Sequence, residues 1–239
     1  MTLADRAQVG FSSADDYDRF MGRWSRQLAP RFLAFAGIDA VSQVLDVACG
    51  TGSLCERIAA AHPIARVTGI DLCAPFVEVC RSKFAAAGFE FLVADANDLP
   101  FADGSFGAAL SALALMLIEA PLAAAREMRR VTRTGGVVAA CTWEAGSVDM
   151  IQGVWEEVEK LDPLAPLPKR QQRCDCSGEL TKLWDEAGLV ATVETRLPMT
   201  MRFESFDDFW MPLAAGVGPL GSYIGSASAL VRKELCARL

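Results

Sequence analysis

The chain has 239 residues, with 23 basic and 30 acidic side chains, a formal net charge of −7 and 52% hydrophobic residues. This length suits one large α/β domain with a lid, which buries roughly 70% of the surface that the unfolded chain exposes. The acidic balance, without a run of Lys and Arg, argues against a nucleic-acid partner. Eight cysteines at irregular spacing predict reduced thiols rather than a disulfide framework.

No apolar stretch reaches the roughly 20 residues that a membrane span needs. The longest one, residues 106–118, is interrupted by a glycine and a serine. The first ten residues carry Asp5 and Arg6 among small side chains and lack the apolar core of a signal peptide. We therefore expect a cytoplasmic location and no membrane partner.

Residues 15–35 carry apolar side chains at spacings of three and four, which predicts one or two helices lying over the edge of a sheet as a cap. From residue 44 to residue 143, apolar runs of strand length then alternate with helical patterns. This alternation predicts a doubly wound, mostly parallel Rossmann-like sheet with helices on both faces. The predicted strands are 44–49, 66–71, 89–95, 108–113 and 137–142, and the predicted helices between them are 53–61, 75–87 and 122–132.

After this core, residues 162–168 hold three prolines and predict a loop, followed by a helix at 178–187 and a further strand at 189–196. The tail from residue 206 predicts two helices separated by a turn at 216–221. We expect one domain, with a cap at 1–40, a binding core at 41–145, and a substrate-side insertion and lid at 146–239.

The strongest motif is the first core strand running into Gly50-Thr51-Gly52 immediately before a helix. Glycine lets the backbone approach a ligand closely, and the start of a helix points N–H groups at it. A dinucleotide phosphate could use such a turn, but its fingerprint has a third glycine where this chain has Cys55. An NAD-dependent oxidoreductase is therefore the disfavoured rival.

Two acids follow the next two strands. Asp71 ends the second strand, where a carboxylate can accept hydrogen bonds from both hydroxyls of a ribose. Asp95 follows the third strand, and with the backbone N–H of Ala96 it could recognise an adenine edge. The carboxyl ends of parallel strands share one edge of the sheet, so both acids are expected along one crevice.

Four segments together resemble the class I S-adenosylmethionine (SAM)-dependent methyltransferases of the ubiquinone/menaquinone-type and small-molecule group. These segments are residues 44–52, 69–72, 93–101 and 130–136. The resemblance covers roughly residues 40–143 and is specific as an ordered set. It implies SAM as cofactor and S-adenosylhomocysteine as product. By this resemblance Asp46, Gly50 and Gly52 cradle the methionine moiety, Asp71 holds the ribose, and Asp95 with Ala96 recognises adenine.

Residues 17–25 also resemble the capping helix of bacterial members of this group. Tyr17, Met21 and Trp24 are therefore expected over the cofactor, with plain helix packing as the alternative. The predicted cofactor-binding residues, which come from the cap and from the strand ends, are Tyr17, Met21, Trp24, Asp46, Ala48, Cys49, Gly50, Thr51, Gly52, Asp71, Leu72, Phe76, Asp95, Ala96 and Ser111.

Methyl transfer from a sulfonium is an in-line displacement that needs positioning and exclusion of water rather than a protein nucleophile. The single histidine, His62, is expected at a helix end away from the crevice. Asp15, Asp16 and Glu144 are the acids that could serve as a base, and no catalytic residue is assigned. We expect no metal, because the Cys174 and Cys176 thiols lack a second pair of ligands at zinc spacing.

Three departures from the family pattern stand out. Gly107 follows Phe106 where the family has an aspartate, and Leu115-Met116 stand where a histidine or an aromatic pair is usual. The family's last antiparallel strand is not evident, so either the chain is truncated relative to its relatives or residues 200–203 close the sheet. The missing polar residues at Gly107 and Met116 motivate the alternative of a catalytically inactive SAM-binding regulatory or scaffold protein.

The methyl acceptor is not identified by the sequence. Trp210 to Leu213, with Tyr223 and Ile224, could line its pocket or pack as an ordinary lid. This aromatic and apolar composition favours a small, partly hydrophobic molecule as acceptor. A monomer and a homodimer both remain open.

Overall fold

The computed structural model describes residues 14–38, 43–165 and 174–239. Within these ranges five strands form one sheet: β1 is Gln43–Val47, β2 Arg66–Asp71, β3 Glu90–Val93, β4 Phe106–Ala112 and β5 Thr132–Cys141. The α-helices, numbered α1 to α10 in chain order, are Ala14–Tyr17, Arg23–Ala36, Ser53–Ala61, Ala74–Lys83, Pro121–Val131, Asp149–Leu161, Glu179–Glu186, Phe206–Ala214, Gly218–Ser226 and Ala229–Arg238. A π-helical turn, Asp18–Gly22, joins α1 to α2.

The strand order in the sheet is β3-β2-β1-β4-β5, and every neighbouring pair is parallel. The winding reverses at β1, which pairs with β2 on one side and with β4 on the other. Open α/β sheets bind ligands beyond the carboxyl ends of the strands at such a reversal. The predicted doubly wound parallel sheet is confirmed, and its geometry points to the ends of β1 and β4.

Each face of the sheet is covered by its own apolar cluster. Val44 belongs to the face packed by α2, α3 and α4, whereas its neighbour Leu45 belongs to the face packed by α5 and α7. Both side chains are fully buried, because neighbouring residues of a strand point to opposite faces. This double burial explains why the central strands read as continuous apolar runs.

The cap was predicted over the edge of the sheet, and for its second helix this placement is wrong. Helix α2 packs on the face of the sheet, against α3 and β5. Its residues Ala29, Phe32 and Leu33 are buried in the same cluster as Val44 of β1 and Ala139 of β5. The apolar stripe of α2 is wide enough to cover sheet and helix together, so burial draws it onto the face.

The C-terminal helices form a third cluster, apart from both faces of the sheet. We call α6 and α8–α10 the lid; Val158, Leu213, Ile224 and Leu235 are buried at its centre, where Phe20 of the π-helical turn joins them. The predicted turn at 216–221 is shorter in the structure, because α9 already begins at Gly218. A second break, at residues 227–228, separates α9 from α10, so the tail from residue 206 holds three helices rather than two.

The fifth strand begins earlier than its apolar run predicts. Thr132 pairs with Phe106, and the regular register resumes only where Val137 pairs with Ala108. Five steps along β5 therefore oppose two along β4, and this irregularity contains Gly135 in a left-handed conformation with φ 76°. Such bulges let a strand continue past residues that break its ladder.

Residues 189–196 were predicted as a strand, and residues 200–203 as a possible closing strand; neither range is a strand in the structure. Hydrogen bonds that involve side chains, rather than the backbone hydrogen bonds of a strand, hold residues 189–203 in place. The Glu194 carboxylate accepts hydrogen bonds from the Gly178 N–H at 2.8 Å and the Thr181 hydroxyl at 3.0 Å. Arg31 donates to the Pro198 carbonyl, and Pro198 has no N–H to give a neighbouring strand.

The signal-peptide expectation concerns residues 1–10, which lie outside the described residues, as do residues 166–168 of the predicted loop. Residues 162–165 are a turn, in agreement with that loop. In the part of the chain that the structure describes, no helix combines the length and apolarity that a membrane crossing requires.

We expect Phe32→Ala to lower the free energy of unfolding by about 3–5 kcal/mol, because it removes a fully buried ring from the interface between α2 and the sheet. Phe32 is 0% exposed, whereas Phe35 on the same helix is 37% exposed. Phe35→Ala is therefore the matched control, with an expected loss below about 1 kcal/mol. Urea denaturation measures both. Equal losses would contradict the placement of α2.

Candidate functional site

The glycine-rich turn lies directly beyond the carboxyl end of β1. Ala48, Gly50 and Gly52 all adopt left-handed conformations, with φ values of 60°, 54° and 80°. The Cys49 N–H donates to the Ile70 carbonyl of β2 at 2.8 Å, and the Gly52 N–H donates to the Cys49 carbonyl at 2.9 Å. The turn is thereby anchored to β2 before α3 starts, and its backbone faces the crevice without side chains at two positions.

Asp71 connects β2 to this turn. Its carboxylate accepts hydrogen bonds from the Gly50 N–H at 2.9 Å and from the Cys73 N–H at 2.8 Å. Burial raises the pKa of Asp71, although these backbone donors act in the opposite direction. The predicted ribose ligand therefore lies at the predicted place, and it also holds the turn in position.

Asp46 lies within β1 and is only 1% exposed. Its Oδ2 atom accepts a hydrogen bond from the Cys55 thiol at 3.2 Å. Burial, reinforced by the charge of Asp71, raises the pKa of Asp46 from 3.8 to about 7 in spite of that hydrogen bond. A second carboxyl group, able to change charge near neutral pH, therefore lines the crevice.

The cysteines around the turn are packing residues. A hydrogen bond with Cys80 and burial raise the pKa of Cys49, and burial with the charge of Asp46 raises the pKa of Cys55. The Cys80 thiol donates to the Gly50 carbonyl at 3.2 Å. Since reactive cysteines need a stabilised thiolate, Cys49 and Cys55 are unsuited to nucleophilic chemistry.

The loop after β3 carries the predicted adenine site. One Asp95 carboxylate oxygen, Oδ1, accepts hydrogen bonds from the backbone N–H and the side-chain amide of Asn97, both at 2.9 Å. Ala96 between them is buried. Among the described residues, Asn97 Oδ1 is buried and has no hydrogen-bond donor. A buried acceptor of this kind is costly unless a ligand or a water molecule supplies a donor, and the motif at residues 93–101 did not indicate it.

Tyr17 lies in the crevice itself. Its ring centroid is 4.7 Å from that of Phe76 at the start of α4, and a Cβ atom built on Gly50 would lie 3.2 Å from the Tyr17 hydroxyl. Burial, followed by the charge of Asp71, raises the pKa of Tyr17 well above its usual range. The cavity left beside this ring has a volume of about 20 Å³.

Asp18, the residue after Tyr17, fastens the cap to the turn and was not predicted. Its Oδ1 atom accepts hydrogen bonds from the Thr51 hydroxyl and from Arg26, both at 2.8 Å. Burial opposes ionisation, but these hydrogen bonds keep the pKa of Asp18 below its usual value. Asp18 and Arg26 are eight residues apart, a spacing that does not predict contact along a regular helix. The π-helical turn brings the two side chains together.

We call residues 17–25 the cap segment; its other predicted ligands face different neighbours. Met21 packs between the lid and the carboxyl ends of β4 and β5. The Trp24 ring lies edge-on to Phe203, 5.3 Å between centroids, which fits the packing alternative. The Arg23 guanidinium binds both Asp208 carboxylate oxygens at 2.9 Å. This ion pair joins the cap to the lid and was not predicted.

Ser111 was predicted as a cofactor ligand, and its placement argues against that role. It is 0% exposed, and its hydroxyl donates to the Val47 carbonyl at 3.0 Å. This bond satisfies the last carbonyl of β1 and connects it to β4. Leu72 follows Asp71 at the crevice and is half-buried.

A fourth, small apolar cluster, here the strand-end cluster, lies where β4 and β5 end. Its buried members are Leu28, Leu113 and Met116, and its partly buried members are Met21, Cys141, Trp143, Leu197 and Met199. Leu113 holds a left-handed φ of 58°, a conformation that costs energy for a non-glycine residue and is frequent at functional sites. Burial raises the pKa of Cys141 to about 12, so its thiol stays protonated at neutral pH.

The remaining candidate residues, His62, Glu144 and the acidic and thiol groups near Glu179, are described by their position or by the contacts that they make. His62 follows the last residue of α3, four residues before β2 begins, so it lies at the amino end of β2 and away from the crevice, as predicted. Glu144 is engaged by Arg196 at 2.6 Å. Glu179 accepts hydrogen bonds from the backbone N–H groups of Asp175 and Cys176 at 3.1 Å. The potential ligand atoms of Asp175, Cys176 and Glu179 lie within 4.8 Å of one another, and these hydrogen bonds account for their closeness.

Known proteins show what the core of this chain is similar to. Residues 45–140 match the family model described as a methyltransferase domain, so the resemblance to class I SAM-dependent methyltransferases is confirmed for the core of the chain. The chain is 36% identical over 114 residues, 48% of its length, to the ubiquinone/menaquinone biosynthesis C-methyltransferase UbiE of Desulfotalea psychrophila, of which the match covers 45%.

A malonyl-acyl-carrier-protein O-methyltransferase of Erwinia pyrifoliae is 35% identical over 150 residues, which cover 62% of this chain and 56% of that protein. The chain therefore spans about half the length of these curated relatives. Two relatives with different acceptors match the same core, so the match does not define an acceptor.

Solved structures extend the likeness beyond the core. The YcgJ protein of Bacillus subtilis superposes with a TM-score of 0.60 over 87% of both chains at 19% identity, which shows the shared fold. The (4+2)-cyclase SpnF superposes with a TM-score of 0.53 at 25% identity, over 68% of this chain and 56% of that chain. A protein named for a cyclisation shares this fold, so the fold alone does not specify the reaction.

The raised pKa of Asp46 predicts a pH-dependent stability. The folded protein retains a proton that the unfolded chain releases, so the contribution of Asp46 to stability falls as the pH rises from about 4 to about 7. Asp46→Asn should remove this loss and gain on the order of 2–4 kcal/mol over the wild type at about pH 8. Urea denaturation across the pH range measures the difference. Asp207→Asn, at an exposed position, is the control, and parallel wild-type and Asp46→Asn profiles would contradict the assignment.

Proposed function

We propose that this protein is a SAM-dependent methyltransferase that transfers a methyl group to a small, partly apolar acceptor in the cytoplasm. The observation that carries the proposal is the bond between the Asp71 carboxylate and the Gly50 N–H. It combines an acid at the end of β2 with a glycine-rich turn at the end of β1, which is the arrangement that binds an adenosyl group in doubly wound sheets.

The crevice residues fit the groups that SAM presents. Asp71 would accept hydrogen bonds from the ribose hydroxyls. Asp95 and the Ala96 N–H would recognise the adenine edge, and the unpartnered Asn97 Oδ1 would accept a hydrogen bond from the adenine amino group. Asp46, Gly50 and Gly52 would hold the methionine moiety, with the glycines leaving room for close approach.

Bound SAM supplies an electrophilic methyl group, and the residues of the chain hold the acceptor in line with it and exclude water. The strand-end cluster suits this task because it is apolar and adjoins the ends of β4 and β5. Its thiol, that of Cys141, stays protonated at neutral pH because burial raises its pKa to about 12. Cys141 is therefore unsuited to act as a base toward the acceptor.

Calorimetric titration with S-adenosylhomocysteine tests the proposal. We expect micromolar binding by the wild type and at least a tenfold loss in Asp71→Asn, because hydrogen bonds to a charged group contribute about 1.5–3 kcal/mol each. Asp98→Asn, at an exposed position after β3, is the matched control and should bind like the wild type. Circular dichroism verifies that each variant is folded.

A second measurement separates catalysis from binding. The protein is incubated with SAM carrying a tritiated methyl group and a panel of apolar amines, thiols and phenols, and organic-extractable radioactivity is counted. Transfer to any panel member supports the proposal. Binding of S-adenosylhomocysteine without transfer favours the SAM-binding regulatory or scaffold alternative, and binding of NADH without S-adenosylhomocysteine would revive the oxidoreductase.

A further inference from the structure

The cap segment occupies the space in which the proposed cofactor would lie. The Tyr17 ring stands between Gly50 and Phe76, and the Gly50 N–H donates to the Asp71 carboxylate. The cavity of about 20 Å³ beside it is comparable to the space of one water molecule. The Tyr17 hydroxyl lies 3.2 Å from where a Cβ atom on Gly50 would stand, so the ring and a ligand that approaches this glycine compete for the same space.

Polar contacts on the core side keep Tyr17 in this position. The Asp18 carboxylate receives hydrogen bonds from Thr51 of the glycine-rich turn and from Arg26 of α2. The Ser53 hydroxyl donates to the Gly22 carbonyl at 3.4 Å. The backbone between them is a π-helical turn, an uncommon conformation that is frequent at functional sites.

Contacts on the lid side hold the other end of the same segment. The Arg23 guanidinium makes a two-pronged ion pair with Asp208 of α8 and also bonds its carbonyl at 3.3 Å. The Phe203 ring lies 4.7 Å from that guanidinium, and Phe20 is buried among the lid helices. The cap segment is thus connected to the glycine-rich turn and to the lid at the same time.

We infer that the cap segment is an autoinhibitory gate, in which Tyr17 closes the cofactor crevice and the Arg23–Asp208 pair holds the gate shut from the lid. The inference rests on the proposed function and adds a means of regulation. A movement of the lid that releases Asp208 frees Tyr17, so the lid sets the affinity for the cofactor. Apparent affinity falls in proportion to the fraction of molecules whose crevice is open.

The decisive variants are Tyr17→Ala, which removes the obstructing ring, and Asp208→Asn, which weakens the latch from outside the crevice. Stopped-flow and calorimetric titration with S-adenosylhomocysteine should show faster association and roughly tenfold tighter binding for both. Asp207→Asn is the matched control, because both acids lie in the first turn of α8, and it should behave as the wild type. Weaker binding by Tyr17→Ala, with Asp208→Asn unchanged, would make Tyr17 a cofactor contact and overturn the gate.

Amide hydrogen exchange without any ligand separates this inference from the proposed function. Asp208→Asn should accelerate exchange in residues 14–25 at least threefold, on the order of a released local contact, and leave α3 unchanged. Unchanged exchange in residues 14–25 would overturn the gate whatever the ligand does. Accelerated exchange, with no binding of S-adenosylhomocysteine by any variant, would preserve the latch and reject the cofactor.

Discussion

The hydrogen bond from the Gly50 backbone to the Asp71 carboxylate is the constraint on which the site depends. It joins the turn after β1 to the end of β2, and it needs those strands to be parallel neighbours. Left-handed backbone at Ala48, Gly50 and Gly52 is what lets the chain turn there and present N–H groups. The crevice, the start of α3 and the position of the cap all follow from this one connection.

Two carboxyl groups lie close to that connection, Asp46 buried and Asp71 partly buried, and burial raises the pKa of both. Backbone donors stabilise Asp71, whereas within the described part of the chain Asp46 receives the weak thiol donor Cys55 alone. Stability alone does not explain an acid within β1, because an uncompensated buried acid costs free energy. Its retention is consistent with a ligand that brings a positive or donating group to the crevice.

A shared core is compatible with different reactions. The (4+2)-cyclase and the methyltransferase relatives share the core with this chain, so specificity has to come from the parts around it. Here those parts are the strand-end cluster, the lid and the cap segment between them. Met21, Met116 and Met199 contribute flexible, polarisable side chains to this region, and such side chains adapt to acceptors of varied shape.

The sequence by itself determined the alternating strands and helices, the glycine-rich turn and the acids at the strand ends, because apolar periodicity and glycine positions are local signals. Only the tertiary structure decided that α2 packs on the sheet face, that residues 189–196 are not a strand, and that Ser111 bonds the Val47 carbonyl. The same holds for Asp18 with Thr51, and for Arg23 with Asp208, 185 residues apart. Such pairs form only when separate elements pack together, and no local sequence pattern predicts a contact between residues so far apart in the chain.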